Sequence, residues 1–214
     1  MNYLAHTWLA GEDPGLLIGG IAGDFVKGRL SLEDETPIQR GIRLHRSIDR
    51  FTDAHAICAR SRGRFTGPHR RVAGIITDMA YDHFLAANWD LINPHEPLTT
   101  FTARVYALLG TYQSELPAGL QRILPRMHAS DWLGSYRELD ALSWALKGIG
   151  TRMRRGGGAL DDAIDGVIAS YTELRGDFFE FLPELREFAT IERTRLVGAL
   201  PREPQPQTQP KSEP

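Results

Sequence analysis

The sequence predicts an all-α protein, a helical bundle in a single domain. In most windows the apolar residues recur at spacings of three and four, which is the period of an amphipathic helix. The alternation of apolar and polar residues that is typical of strands is scarce. The length of 214 residues and the apolar fraction of 42% fit one globular domain with a substantial core. We therefore expect a helical domain over residues 1–200.

The first half of the chain predicts five helical segments. A short helix is expected over 2–10, and the Gly-rich apolar segment 16–27 predicts a second helix that packs closely or bends. Thr36-Pro37 has the pattern of an N-cap followed by a first-turn proline, so a helix should run from there to about 53. A short helix over 54–64 follows. Gly67-Pro68 is a break, and the next helix is expected over about 69–87.

The second half predicts further helices after a loop that Asn93-Pro94 and Glu96-Pro97 bound. The expected segments are 98–115, 118–128, 131–148, 159–180 and 182–198, with the triple glycine 156–158 as a flexible link. Residues 201–214 (PREPQPQTQPKSEP) contain five prolines and no apolar side chain that could anchor them. This composition predicts a disordered Pro/Gln-rich tail.

Composition excludes several classes of protein. No apolar run approaches the roughly 18–20 residues of a membrane span, and the N-terminus lacks the pattern of a signal peptide. Cys58 is the single cysteine, which excludes an intrachain disulfide and a Cys-rich zinc site and fits the reducing cytoplasm. The sequence contains neither a Walker-type phosphate loop nor a GxSxG elbow.

The charge of the chain is unevenly distributed. The net charge is −2, but the segment from Arg40 to Arg71 has nine arginines and two acids, a local charge of +7. This asymmetry indicates an anionic partner near that segment. The alternative is that some of these arginines pair with acids elsewhere in the fold. Nucleic acid is not favoured, because the whole domain is mildly acidic and lacks a basic groove interleaved with aromatic residues.

Two short segments place acids and histidines at helical spacing. In HRSIDRFTD, His45 and Asp49 are i,i+4 neighbours, and in DMAYDHF so are Asp78 and Asp82. Two carboxylates one turn apart repel each other, and a cation removes that penalty. Imidazoles and carboxylates on facing helices therefore predict a site for a divalent metal ion. The alternatives are a local His–Asp surface pair and acids that arginines neutralise. His83 is about 100° round the helix from Asp82, at the edge of the predicted site or outside it.

Further candidates lie near the N-terminus. Asp24 is a lone acid after an apolar Gly-rich run, where a shared metal ion would supply the partner that it needs; the alternative is an ordinary N-cap. His6 stands in a similar apolar context, which is more often that of a core histidine than that of a ligand. Lys27 and Arg29 follow Asp24 closely and could bind phosphate oxygens.

Four segments together resemble one protein family. The opening MNYLAHTWLA, the segment GGIAGDFVKG and the helices RGIRLHRSIDRFTD and ITDMAYDHFLAANW are similar, in order and spacing, to acyl carrier protein phosphodiesterases. The resemblance covers about residues 1–195. It implies an all-α fold that resembles a divergent HD-domain phosphohydrolase. It also implies hydrolysis of the phosphodiester that joins 4′-phosphopantetheine to a serine of holo acyl carrier protein. The cofactor that it implies is a divalent cation, for which manganese is preferred to magnesium or iron.

The resemblance also assigns candidate site residues. It implies metal-site roles for Asp24, His45, Asp49, Asp78 and either Asp82 or His83, with His6 nearby, and roles in catalysis for Asp24, Asp82 and His83. The HD superfamily is named for an adjacent His-Asp pair, whereas the pair here is reversed, as Asp82-His83.

The partner that the resemblance implies is an acidic carrier protein, which fits the basic segment. The residues expected to contact it are Lys27, Arg29, Arg43, Arg46, Arg50, Arg70 and Arg71. Two alternatives remain open: an HD-type nucleotide phosphohydrolase, and a non-catalytic helical module that binds an acidic protein. The sequence leaves the oligomeric state open.

Overall fold

The computed structural model describes residues 1–30 and 35–198, and within them it confirms the all-α prediction. Those residues form twelve α-helices and no strand. The helices are α1 (Tyr3–Leu9), α2 (Pro14–Ala22), α3 (Pro37–Ala54), α4 (Ala56–Gly63), α5 (Ala73–Ala87), α6 (Trp89–Ile92), α7 (Leu98–Thr111), α8 (Ala118–Ala129), α9 (Trp132–Ser135), α10 (Leu139–Gly150), α11 (Ala163–Ala169) and α12 (Tyr171–Gly198). The tail predicted for 201–214 lies outside the described residues. None of the helices in these ranges has the length and apolarity that crossing a bilayer requires.

Helix α3 begins where the sequence predicts. The Thr36 side chain accepts a hydrogen bond from the backbone N–H of Gln39, and the Gln39 side chain accepts one from the N–H of Thr36. This capping box satisfies two of the donors that a helix start leaves unpaired, and Pro37 fits the first turn. The cap thereby fixes the start of the helix that carries His45 and Asp49.

Helices α2 and α3 meet with their backbones in direct contact. Gly15 and Gly19 of α2 face Gly41 of α3, and a Cβ on Gly19 or Gly41 would strike the main chain of the other helix. Only glycines allow two helices to approach this closely. The Gly-rich run thus forms a close helix pair, and its continuation, a 3-10 turn at Gly23–Phe25, places Asp24 beside α3.

Helix α5 lies at the centre of the bundle. It contacts α1, α4, α10 and α12, and most of its side chains are buried. The largest fully buried side chains of the core belong to α5, α6 and α12: Trp89, Tyr81, Phe84, Phe178 and Phe181. Because α5 also carries Asp78, Asp82 and His83, the core fixes the positions of all three.

Some predicted boundaries are wrong. The break expected near 181 is absent, and α12 continues through Pro183. Buried Phe181 and Leu185 hold both sides of this proline in the core, and their packing outweighs the cost of about 3 kcal/mol of a proline inside a helix. The segment 131–148 is instead two helices, α9 and α10.

The triple glycine is more than a flexible link. A Cβ on Gly150 would lie 2.5 Å from the carbonyl oxygen of Gly157. The end of α10 and the glycine turn therefore pack backbone against backbone, an approach that side chains would prevent.

Candidate metal centre

Three of the predicted site residues form one compact cluster. His6 Nε2 lies 3.0 Å from Asp49 Oδ1, and His45 Nε2 lies 3.1 Å from Asp49 Oδ2. One ligand atom from each residue falls within 4.8 Å of the others, so the three could hold a metal ion. The two imidazoles are buried, and the Asp49 side chain is 38% exposed. The cluster thus has two buried nitrogen ligands and a carboxylate that opens to the surface.

His6 has the features expected of a metal ligand. Its ring nitrogens are buried and make no hydrogen bond, because the 3.0 Å approach of Nε2 to Asp49 lacks hydrogen-bond geometry. Burial, and then the neighbouring His45, lowers the pKa of His6 to about 3, so this imidazole is neutral. A buried polar nitrogen without a partner is costly. A neutral imidazole that faces a carboxylate suits a divalent cation, and the donor set therefore fits a metal ion.

The ring of His45 is held from its other side. Nδ1 lies 2.8 Å from the carbonyl oxygen of Gly20, so it carries the hydrogen and donates it. Burial opposes protonation of Nε2, but the hydrogen bond to Asp49 and the charges of Asp49 and Asp24 outweigh burial and raise the pKa of His45. Metal-binding histidines commonly donate their second N–H to a carbonyl in this way. A metal ion at Nε2 would take the place of the proton there.

Glycine residues make room for the two stacked imidazoles. The rings of His6 and His45 are 3.8 Å apart between centroids, with an interplanar angle of 23°. A Cβ on Gly23 would strike the ring of His45. Burial would raise the pKa of the Asp49 carboxyl, but its close contacts with both histidines lower that pKa.

Two further acids lie at the edge of the cluster. Asp24 Oδ1 is 3.7 Å from His45 Nε2, and the Asp24 side chain is 47% exposed. Burial of this carboxyl raises its pKa. Asp78 Oδ1 is 2.9 Å from the α-ammonium group of Met1, which also lies 3.9 Å from Asp49. Burial disfavours this ammonium, but Asp78 and Asp49 raise its pKa to about 10. Asp78 is thus paired with a cation that the sequence analysis did not consider.

The structure does not bring Asp82 and His83 into the cluster. Asp82 is fully buried and accepts hydrogen bonds from three backbone N–H groups of residues 2–5, and burial raises its pKa to about 7. His83 Nδ1 is 2.8 Å from the carbonyl oxygen of Tyr136, and Nε2 is 2.9 Å from the hydroxyl of Tyr171. Both side chains are engaged by other partners, which departs from the role in catalysis predicted for them.

Three arginines of the basic segment lie close to acids of the fold. Arg60 and Arg64 pair with the buried Asp177 of α12, which also accepts a hydrogen bond from Ser61. Arg62 lies 4.0 Å from Asp53. The alternative that some of these arginines pair within the fold is therefore correct for this group.

Three of the seven residues predicted to contact a partner make ion pairs or hydrogen bonds within the fold. Arg43 pairs with Glu35 at 2.8 Å, Arg50 donates to Ser47, and Arg46 donates to the carbonyl oxygens of Val26 and Gly28. The other four predicted contacts, Lys27, Arg29, Arg70 and Arg71, are exposed, as is Arg50.

Sequence reasoning missed Gly20 and Gly23 as parts of the site. Gly20 contributes a carbonyl oxygen that accepts a hydrogen bond from His45, and Gly23, which has no side chain, leaves space for the His45 ring. The spacing of glycines before Asp24 was the available signal, and it predicted only close packing.

Comparisons with known proteins place the chain in a family. Residues 1–185 match the family model described as acyl carrier protein phosphodiesterase. The chain is 31% identical over 189 residues to an acyl carrier protein phosphodiesterase of Photorhabdus laumondii, covering 88% of this chain and 95% of that one. It is 32% identical over 189 residues to that of Serratia proteamaculans (88% and 97%) and 33% identical over 185 residues to that of Salmonella dublin (86% and 95%). No solved structure matches significantly. The chain belongs to the acyl carrier protein phosphodiesterase family.

Proposed function

We propose that this protein hydrolyses the phosphodiester between 4′-phosphopantetheine and a serine of holo acyl carrier protein, in a metal-dependent reaction. The observation that carries the proposal is the cluster of His6, His45 and Asp49, in which buried imidazole nitrogens face a half-exposed carboxylate. Family membership supports the substrate, because the relatives are named for this activity.

The proposed cation is manganese, with magnesium or iron as alternatives, held by His6, His45 and Asp49. Bound there, such a cation would polarise a phosphoryl oxygen and lower the pKa of a bound water. The donor set of two nitrogens and an oxygen favours manganese or iron over magnesium, because magnesium prefers oxygen ligands.

Asp24 is the proposed proton acceptor for the attacking water. Its carboxylate is accessible at the edge of the cluster, and its raised pKa makes it a stronger base than an ordinary aspartate. The water oxygen bonds to phosphorus, the bond from phosphorus to the serine oxygen breaks, and that oxygen takes up a proton. The products are a serine hydroxyl on the apo carrier protein and free 4′-phosphopantetheine.

Lys27 is the proposed contact for a phosphate oxygen. It is exposed three residues after Asp24, and its charge is close enough to lower the pKa of that carboxyl. Arg46 of α3 donates at 2.8 Å to the carbonyl oxygens of Val26 and of Gly28, one on each side of Lys27. Arg46 therefore holds the segment that presents Lys27, a role different from the direct carrier contact predicted for it.

The residues proposed to contact the acidic carrier protein are four exposed cations, Lys27, Arg29, Arg70 and Arg71. Complementary charge increases the rate of encounter more than the final affinity. Because Arg43 and Arg50 already have partners, we expect them to contribute less to docking.

Mass spectrometry of holo acyl carrier protein incubated with this protein and Mn²⁺ tests the proposal. We expect the mass to fall by one phosphopantetheine, and we expect Asp49→Asn to lower the rate by at least about 100-fold. Asp53→Asn is a matched control, because Asp53 is one turn further along α3 and its side chain is 80% exposed. An intact holo carrier after incubation with the wild-type protein, or an Asp49→Asn variant of normal rate, would contradict the proposal.

The same preparation separates the alternative of an HD-type nucleotide phosphohydrolase. Turnover of nucleotides in place of holo carrier would favour that alternative. Turnover of neither substrate, together with the absence of Mn²⁺ binding, would favour a non-catalytic module that binds an acidic protein.

A further inference from the structure

Helix α1, which carries His6, has no N-terminal cap of its own. It has seven residues, and the side chain of its N-cap residue, Asn2, makes no capping hydrogen bond. The Asn2 amide donates instead to Met79 Sδ at 2.7 Å and to the Tyr136 hydroxyl at 3.4 Å. A helix this short is marginal alone, and its first N–H groups need acceptors.

Asp82 of α5 supplies the missing acceptors. Its Oδ2 accepts from the N–H of Leu4 at 2.8 Å, and its Oδ1 accepts from the N–H groups of Ala5 at 3.2 Å and Asn2 at 3.3 Å. The side chain is completely buried. Three hydrogen bonds from the N-cap and first turn of α1 thus fix the start of this helix against α5.

The position of His6 depends on this anchor. Its ring nitrogens make no hydrogen bond, so the imidazole is positioned by the backbone of α1 and by stacking on His45. Ala5 donates its backbone N–H to Asp82 and is the residue directly before His6. A shift at the start of α1 therefore moves the imidazole relative to Asp49.

We propose that Asp82 is a positioning residue for the metal centre, acting through the backbone of α1 to hold His6 Nε2 in place for the cation. The inference rests on the metal centre of the proposed function. It separates Asp82 from Asp78, one turn away on the same helix, whose carboxylate is accessible and faces the Met1 ammonium.

The dissociation constant of Mn²⁺, measured by calorimetry on the whole protein without any carrier protein, tests this role. Asp82→Asn keeps the shape of the side chain but replaces an accepting oxygen with a donating NH2 group. We expect Mn²⁺ to bind about 10–100-fold more weakly, as is found when the support of a ligand is lost.

Asp177→Asn is the matched control. Asp177 is another buried aspartate with several hydrogen bonds, to Ser61, Arg60 and Arg64, but it lies in α12 away from the cluster. We expect this variant to melt at a lower temperature and to bind Mn²⁺ within about twofold of the wild type. The control separates a loss of buried hydrogen bonds from a loss of ligand position.

A double-mutant cycle with His6→Ala tests whether Asp82 affects Mn²⁺ binding through His6. If Asp82 acts through His6, Asp82→Asn should weaken Mn²⁺ binding no further in the His6→Ala background. A wild-type dissociation constant for Asp82→Asn, or an equal loss in both backgrounds, would overturn the inference alone. No Mn²⁺ binding by the wild type would overturn the metal centre and the inference with it. Should Asp82→Asn fail to fold, Asp82→Ser, which keeps an acceptor in a smaller side chain, gives the same comparison.

Discussion

Replacing Gly23 with alanine should disable the site through a single methyl group. The added Cβ would lie 2.5 Å from Cδ2 and 2.8 Å from Nδ1 of His45. Non-bonded carbon atoms ordinarily stay about 3.5–4.0 Å apart, so the imidazole must move by about 1 Å. The ring cannot make this shift freely, because it stacks on His6 and donates to the carbonyl oxygen of Gly20.

The size of the effect follows from that displacement. A misplacement of about 1 Å in a catalytic group costs about 100-fold in rate, and overpacking a core costs about 1–3 kcal/mol of stability. We expect both losses in Gly23→Ala, measured as turnover of holo acyl carrier protein by mass spectrometry and as the free energy of unfolding in urea.

Gly176→Ala is the control for the substitution itself. Gly176 is exposed on α12 and an added Cβ would meet nothing within 4 Å. This variant should keep wild-type turnover and gain up to about 1 kcal/mol of stability from helix propensity. A Gly23→Ala protein with wild-type turnover would refute the reasoning, because it would show that the position of His45 is not constrained by this contact.

Three further outcomes are expected. Gly41→Ala should separate α2 from α3 and lower the free energy of unfolding by about 1–3 kcal/mol, measured in urea; unchanged stability would contradict the close helix contact. Without metal, the raised pKa of His45 contributes stability that is present below about pH 6.5 and is lost as the pH rises through the folded pKa. Mn²⁺ binding should therefore weaken as the pH falls below that pKa and should release a proton, which calorimetry in buffers of different ionisation enthalpy detects; pH-independent binding would contradict this. Arg70→Ala combined with Arg71→Ala should lower kcat/KM for the carrier several-fold at low salt and little at about 1 M salt, where charges are screened; an equal loss at both salt concentrations would argue against electrostatic steering.

Local spacing predicted that His45 and Asp49 share one face of a helix. His45 and Asp49 are four residues apart on α3, and the structure places both in the cluster, 3.1 Å from each other. The capped start at Thr36 was also local, and it is confirmed. Such features depend on residues within one or two turns, which a sequence pattern contains.

The remaining assignments depend on contacts between distant segments. Asp78 and Asp82 lie one turn apart on α5 and have similar apolar neighbours, so the sequence pattern could not assign them different roles. What separates them is the start of α1, almost 80 residues earlier, which provides backbone N–H groups to Asp82 and an ammonium to Asp78. Asp177 likewise neutralises Arg64 across 113 residues of chain. Periodicity carries no information about such pairs.

The glycine contact between α2 and α3 has a consequence for how the centre tolerates change. The 3-10 turn with Asp24 continues directly from α2, and His45 lies one turn beyond Gly41 on α3. The main chains of the two segments are in direct contact here, so no side chain lies between them whose change of rotamer could absorb a displacement. Substitutions that change the volume of the core elsewhere can shift neighbouring helices, while this backbone contact keeps the main-chain segments that carry Asp24 and His45 at a fixed separation.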